Sequence, residues 1–145
     1  MRKLRFATML TIVVTAFCLM SSVAVDSLSG LRNYQCKKCG TLVRSDRTPS
    51  SLNCRAGGSH SWQNLGDVGM ENYMCKKCGT AVESSRTPSS LGCPAGNSHS
   101  WNHLGKKGET AYQCRRCGVT IYSDRTPSSL GCPQGSSHSW TKLGR

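Results

Sequence analysis

Short β-prone runs separated by turns make up most of the chain from residue 34 onward. Residues 34–36, 41–45 and 60–65 are rich in aromatic, β-branched and other strand-favouring side chains, a composition typical of short strands. Pro49 interrupts the region between the second and third runs, which predicts a loop there. No segment keeps a helical period, so the predicted fold is small and all-β.

This pattern occurs three times along the chain. Residues 34–66, 73–105 and 112–144 align without a gap at an offset of 39 residues, and 19 of their 33 columns are identical. The strand-like runs recur at residues 80–84 and 119–123, each followed by the same proline. The sequence therefore predicts three tandem domains with these boundaries.

Two linkers of six residues, 67–72 and 106–111, join the copies. Each contains a glycine and few apolar side chains, which predicts short connections that do not fix the orientation of the repeats. We therefore expect the three repeats to fold almost independently, with weak terms between neighbours.

Each repeat offers only a very small set of core candidates. They are one Tyr, one β-branched residue, one Trp and two Leu per copy: Tyr34, Val43, Leu52, Trp62 and Leu65; Tyr73, Val82, Leu91, Trp101 and Leu104; Tyr112, Ile121, Leu130, Trp140 and Leu143. A unit of this size seldom folds on so small a core. Bound metal would have to supply the remaining free energy, about 10 kcal/mol for structural zinc in small fingers.

The chemistry of each repeat lies in a frame of Cys-x2-Cys-x14-Cys-x5-His. The frame predicts one metal site per copy, with the ligands Cys36, Cys39, Cys54 and His60; Cys75, Cys78, Cys93 and His99; and Cys114, Cys117, Cys132 and His138. Three thiolates and one imidazole form a standard closed, tetrahedral zinc set, so we expect about three zinc ions per chain. Gly40 and its counterparts follow each Cys pair and permit a left-handed turn.

Disulfides, iron and redox chemistry are the alternatives to zinc. Each repeat has three cysteines, so pairing within a repeat leaves one thiol over, and disulfides do not explain the repeated histidine. That histidine also favours zinc over an iron site of four thiolates.

The frame resembles the zinc-ribbon class of modules, in which two knuckles hold one zinc between short strands, with His replacing the usual fourth Cys. The resemblance covers residues 34–144 and implies three tandem ribbons without implying a particular function.

Residues 1–24 have the pattern of a secretory signal peptide. Arg2, Lys3 and Arg5 precede 15 uncharged, mostly apolar residues, and Ser22 and Ala24 are small residues suited to cleavage after Ala24. The alternative is an uncleaved signal anchor, because the apolar run extends almost to the roughly 20 residues that span a bilayer. Both interpretations place the repeats outside the cytoplasm, either secreted, in a periplasm or at the cell surface.

Basic residues dominate the charge of the chain, which is formally +12. Each first knuckle contains a basic pair, and each copy contains the segment Arg-Thr-Pro-Ser-Ser-Leu. Candidate recognition residues are therefore Lys37, Lys38, Lys76, Lys77, Arg115 and Arg116, and Arg47, Arg86 and Arg125. The competing interpretations are that the knuckle pairs balance thiolate charge and that the loop is structural, its proline fixing a turn, its serines bonding backbone amides and its arginine covering the Trp.

These features favour an exported, non-enzymatic zinc protein that acts as a binding or scaffold module. Its partner would be a protein or an anionic envelope polymer. No carboxylate occupies the same column in all three copies, and each repeated histidine is already assigned to metal, so we do not expect an enzyme. Nucleic-acid binding is the alternative suggested by the basic charge, and metal storage is a third.

Overall fold

A computed structural model describes residues 30–144. Nine strands in this range form three similar antiparallel sheets, with the first strand of each repeat in the centre and the strand orders β2-β1-β3, β5-β4-β6 and β8-β7-β9. The strands are β1 (Arg32–Cys36), β2 (Leu42–Ser45), β3 (Trp62–Asp67), β4 (Glu71–Cys75), β5 (Ala81–Ser84), β6 (Trp101–Lys106), β7 (Thr110–Cys114), β8 (Thr120–Ser123) and β9 (Trp140–Gly144). The predicted all-β fold class is thus confirmed for the repeats, while the signal peptide lies outside the described residues.

Each hairpin between the first two strands turns at the Cys-x2-Cys pair. In the first repeat, the Gly40 amide donates to the Cys36 carbonyl at 2.9 Å, and the Cys36 amide donates to the Thr41 carbonyl at 2.9 Å. Gly40 has a φ of 73°, a left-handed conformation that costs glycine little because it has no Cβ. The expected role of this glycine in the knuckle is therefore confirmed.

A β-bulge in each sheet leaves one leucine of the outer strand without a paired residue on the central strand. The pairing of β1 with β3 shifts between Asn33 and Tyr34, which leaves Leu65 as the extra residue. Leu65 and Leu104 are almost fully buried, and Leu104 packs with Ile121 of the following repeat. Leu143, predicted to be core, is instead 56% exposed. In the described part of the chain, no repeat follows it to cover it.

The loop leucines were also wrongly predicted to lie in the core. Leu52, Leu91 and Leu130 expose 71%, 61% and 65% of their surfaces. They follow the proline of each loop, outside any regular strand, so the alternation that buries strand residues does not apply to them.

Two asparagine side chains, one just before the first repeat and one at the end of the first linker, join neighbouring repeats. The Asn33 side-chain amide donates to the Glu83 carbonyl at 2.9 Å, and that of Asn72 donates to the Tyr122 carbonyl at 2.9 Å. Both asparagines are buried. The linker 67–72 itself contains the end of β3 and the start of β4. The linkers are therefore not the sole connections between the repeats in the described part of the chain, and the near-independence of the repeats stays a prediction.

The proline-containing loops of the second and third repeats complete these junctions. The Ser89 amide donates to the Leu65 carbonyl at 2.8 Å, and the Ser128 amide donates to the Leu104 carbonyl at 3.0 Å. The adjacent Pro88 is buried. The outer edges of β3 and β6 are thus partly paired by the next repeat, which satisfies backbone carbonyls that a sheet edge would otherwise expose.

At one left-handed backbone position, the residue type depends on whether another repeat precedes it. Gly92 has a φ of 80°, and a Cβ there would lie 2.9 Å from Cγ of Gln63 in the preceding repeat. Gly131 likewise faces the Asn102 side chain. The first repeat has Asn53 in this column, also left-handed, with a φ of 59°. A side chain is tolerated there because Asn53 is exposed.

Candidate metal centres

The fold brings each predicted ligand set together. In every repeat, one sulfur from each of three cysteines and one imidazole nitrogen lie within 4.8 Å of one another. The sets are Cys36, Cys39, Cys54 and His60; Cys75, Cys78, Cys93 and His99; and Cys114, Cys117, Cys132 and His138. All nine of these cysteines are free thiols. The three clusters could each hold a metal ion, as in a zinc-ribbon-like module.

The spacing of the ligand atoms fits a tetrahedral zinc ion. Cys36 Sγ lies 3.9 Å from Cys54 Sγ, and Cys39 Sγ lies 3.6 Å from His60 Nδ1. With Zn–S bonds of about 2.3 Å, tetrahedral geometry places two sulfurs about 3.8 Å apart. The corresponding Cys–His distance is 3.6 Å in the other two repeats as well.

The backbone and a tryptophan hold each histidine with Nδ1 toward the sulfurs. The His60 amide donates to the Ser51 carbonyl at 2.6 Å, and the His60 ring stacks on Trp62 with centroids 4.5 Å apart. The same stack recurs at 4.6 Å in the other repeats. Nε2 of His99 and of His138 is buried, with no hydrogen-bond partner among residues 30–144. Because Nδ1 lies 3.6 Å from the second sulfur in every repeat, Nδ1 is the nitrogen that each centre offers to a metal.

Backbone amides favour the thiolate form of the first cysteine in all three repeats, since they also lower the pKa of Cys75 against the opposing effect of burial. Burial raises the pKa of Cys36, but amide hydrogen bonds from Cys39, Ser61 and Lys38 outweigh it and bring the pKa to about 7. In the third repeat, burial is likewise outweighed by an amide bond from Cys117 and a bond to His138, and the pKa of Cys114 falls to about 6. Because a metal ion binds the thiolate form, these lowered pKa values favour cation binding near neutral pH.

The second cysteines of the first and third repeats differ in one neighbouring side chain. The Thr41 hydroxyl lies 3.1 Å from Cys39 Sγ, and this hydrogen bond is the main cause of a lowered Cys39 pKa. The third repeat has Val119 in this column. There burial raises the pKa of Cys117 to about 11. The third centre thus lacks the hydroxyl hydrogen bond that the second cysteine has in the other two repeats.

We expect Val119→Thr to strengthen metal binding at the third centre by about tenfold, the lower end of the effect of outer-shell partners. A hydroxyl beside Cys117 would stabilise the thiolate and lower its pKa, so protons would compete less. The pH at which this centre loses half its metal should therefore fall. Amide NMR during acid titration of the zinc-loaded protein would measure that midpoint separately for each repeat.

Thr41→Val is the reciprocal control for this prediction. It should raise the release midpoint of the first centre and leave the third unchanged. Equal shifts in all three repeats, or no shift at the third centre in Val119→Thr, would contradict a role for the hydroxyl.

The basic pair in each knuckle is partly occupied by structural contacts. Nζ of Lys38 and of Lys77 and Nη1 of Arg116 donate to the carbonyls of Ser59, Ser98 and Ser137 at 2.9–3.0 Å. These bonds connect the first knuckle to the loop before the ligand histidine. Lys37, Lys76 and Arg115 are exposed, with Arg115 bonded to Thr141. The second residue of each pair therefore has a structural role close to the thiolates.

The first serine of the Arg-Thr-Pro-Ser-Ser-Leu loop anchors it to the rest of the repeat. The Ser50 carbonyl accepts from Trp62 Nε1 at 2.9 Å, and its hydroxyl accepts from the Leu52 amide at 3.3 Å. The same bonds recur around Ser89 and Ser128. The expected serine contacts are confirmed. The arginine does not cover the tryptophan: Arg47 exposes 86% of its side chain beside Asp46, and the Trp ring stacks on the histidine.

Sequence reasoning missed the residues that connect and tune the centres. Asn33 and Asn72 join the repeats, while Thr41 and Thr80 bond the second thiol. Each pair recurs at the 39-residue offset. Extending the comparison beyond the 33-residue frame would have revealed the asparagines, which immediately precede the first Tyr of their copies.

Comparisons with protein-family models, curated proteins and solved structures found no match to this chain. Within residues 30–144, no helix is long and apolar enough to cross a membrane.

Proposed function

We propose that this protein is an exported, non-enzymatic array of three zinc ribbons that acts as a binding or scaffold module. The observation that carries the proposal is the complete Cys3His cluster repeated in all three sheets. Four protein ligands close a tetrahedral zinc site, with no position left for a substrate. The metal would therefore stabilise each repeat and leave binding to the surface between and around the centres.

Zinc is the metal that this donor set favours. Three thiolates with one imidazole suit zinc, whereas the mononuclear iron sites of ribbon-like proteins use four thiolates. The buried sulfurs and the lowered pKa values of Cys36 and Cys114 support binding of a divalent cation near neutral pH. A storage role fits less well, because junction contacts and closed ligand shells favour retention over exchange.

Export is proposed from the basic and apolar pattern of residues 1–24. Cleavage would place the repeats in an extracytoplasmic compartment, where thiols are often oxidised. Zinc bound before or during export would protect the cysteines. We propose a protein or an anionic envelope polymer as the partner there, with nucleic acid as the less favoured alternative because it is rare in such compartments.

We expect about three zinc ions per chain in protein freshly isolated from its own compartment. Native mass spectrometry gives the number bound to each molecule, and elemental analysis identifies the metal. Mass measurement after alkylation is the control, because it distinguishes metal-protected thiols from disulfides. A metal content near zero with oxidised cysteines would refute the zinc-ribbon proposal.

A further inference from the structure

Two equivalent clefts lie at the junctions between repeats. The first, of about 480 Å³, has Leu65, Gly66 and Asp67 of β3 on one side and Arg86, Thr87 and Ser89 of the next loop on the other. The second, of about 510 Å³, is lined by the corresponding columns of the next two repeats: Leu104, Gly105, Lys106, Arg125, Thr126 and Ser128. Each cleft is therefore built jointly by two repeats, and the loop segment is identical in both.

In the second and third repeats, the arginine of this loop makes no side-chain hydrogen bond or salt bridge within residues 30–144. The first serine of the loop, Ser89 or Ser128, makes both the junction bond and the tryptophan contact, and the preceding proline is buried. Arg86 and Arg125 are exposed and take part in none of the salt bridges within residues 30–144. These two arginines therefore have no carboxylate partner in this part of the chain, which suits them to an external anionic ligand.

The charge of the clefts selects an anion. In the first cleft Arg32 is paired with Asp67 at 3.5 Å, which leaves Arg86 as the unpaired cation. In the second cleft Lys106 and Arg125 supply two positive charges against the one negative charge of Asp124. The Asp124 carboxylate also accepts from the Glu109 amide at 3.4 Å. A guanidinium beside hydroxyl groups offers donors in several directions. This arrangement fits the several oxygens of a phosphate group better than the two of a carboxylate.

We propose that the two clefts bind phosphate groups at two points along one linear phosphate polymer that carries no bases. This inference rests on the proposed binding function and names its ligand class. Nucleic acid is disfavoured because single strands are held by base stacking on aromatic rings. No Phe, Tyr or Trp lines either cleft among the described residues, and the Trp rings stack on the ligand histidines.

Two clefts on one chain make the binding bivalent. A polymer long enough to reach both clefts pays the association entropy once, so it binds more tightly than either cleft binds a single phosphate. We therefore expect poly(glycerol phosphate) to bind the zinc-loaded protein with much higher affinity than inorganic phosphate does. Calorimetric titration of the full chain at about physiological salt would measure both affinities.

Arg86→Gln and Arg125→Gln should each weaken polymer binding by about tenfold, through loss of one charge-assisted contact and of bivalency. Arg47→Gln is the matched control. It removes one charge from the same column of the same loop, but in residues 30–144 no preceding repeat forms a cleft with Arg47. It should change the affinity by less than about twofold. The zinc content of each variant checks that the repeats remain folded.

Several results would overturn the inference. An equal loss in Arg47→Gln would mean that net charge alone attracts the polymer. Single-stranded DNA or polyglutamate binding as tightly as poly(glycerol phosphate) would identify a different ligand class. Failure of the wild-type protein to bind the polymer would refute the clefts as phosphate sites, while a zinc content of about three would still support the proposed zinc ribbons.

Discussion

A zinc chelator added under reducing conditions is expected to unfold all three repeats. Each repeat buries few apolar side chains, and in the first repeat Tyr34 and Leu65 are the main non-cysteine ones. Structural zinc contributes about 10 kcal/mol per small finger, which is comparable to the whole stability of a typical domain. Backbone amide signals across residues 30–144 should collapse to the narrow dispersion of an unfolded chain, and stoichiometric zinc should restore them.

The control for this experiment is the same chelator already saturated with zinc. It should leave the amide spectrum unchanged, which would exclude direct effects of the chelator on the chain. Retention of the three sheets in reduced, metal-free protein would show that the junctions and small cores suffice without metal. The clusters would then be dispensable for folding.

Cys93→Ser is expected to remove one zinc ion and unfold the middle repeat. A hydroxyl in place of a buried thiolate opens the middle centre. The neighbours also lose junction contacts, namely the bonds from Asn33 to Glu83 and from Asn72 to Tyr122. Each such bond contributes about 1 kcal/mol, far less than the metal contributes. The outer repeats should therefore keep their zinc but become less stable toward denaturant.

Native mass spectrometry and amide NMR would test both parts of this prediction. Leu91→Ala is the matched control, because Leu91 lies two residues from Cys93 but is 61% exposed and should not alter zinc content. Loss of all zinc from Cys93→Ser would show that the repeats form one cooperative unit. Unaltered stability of the outer repeats would show that the junctions contribute nothing measurable.

The centres could be predicted from the sequence because each repeat contains its own complete ligand frame. Fixed spacing between Cys36 and His60 brings four donors together through local turns, so no knowledge of the neighbouring repeats is needed. The knuckle glycines and the loop prolines affect only the backbone next to them, so the turn and the loop that they form could be predicted for the same reason.

The junctions could not be predicted in this way because their determinants depend on a neighbour. Asn33 bonds a residue 50 positions away, and no local period identifies such a partner. The same limit explains the errors in the core, since Leu104 is buried by the following repeat whereas Leu143 in the same column is exposed. The metal ligands are identical in all three copies, whereas the residues at the junctions differ according to whether a copy is first, middle or last.

The junction residues also constrain how such an array can grow or be redesigned. Only the middle repeat combines the asparagine that reaches forward, Asn72, with the glycine that admits a preceding repeat, Gly92. The first repeat has Asn53 in place of that glycine, and the third has Ala111 in place of that asparagine. A longer protein is therefore best made by in-frame duplication of the middle unit, because copies of either terminal unit would introduce a mismatched junction.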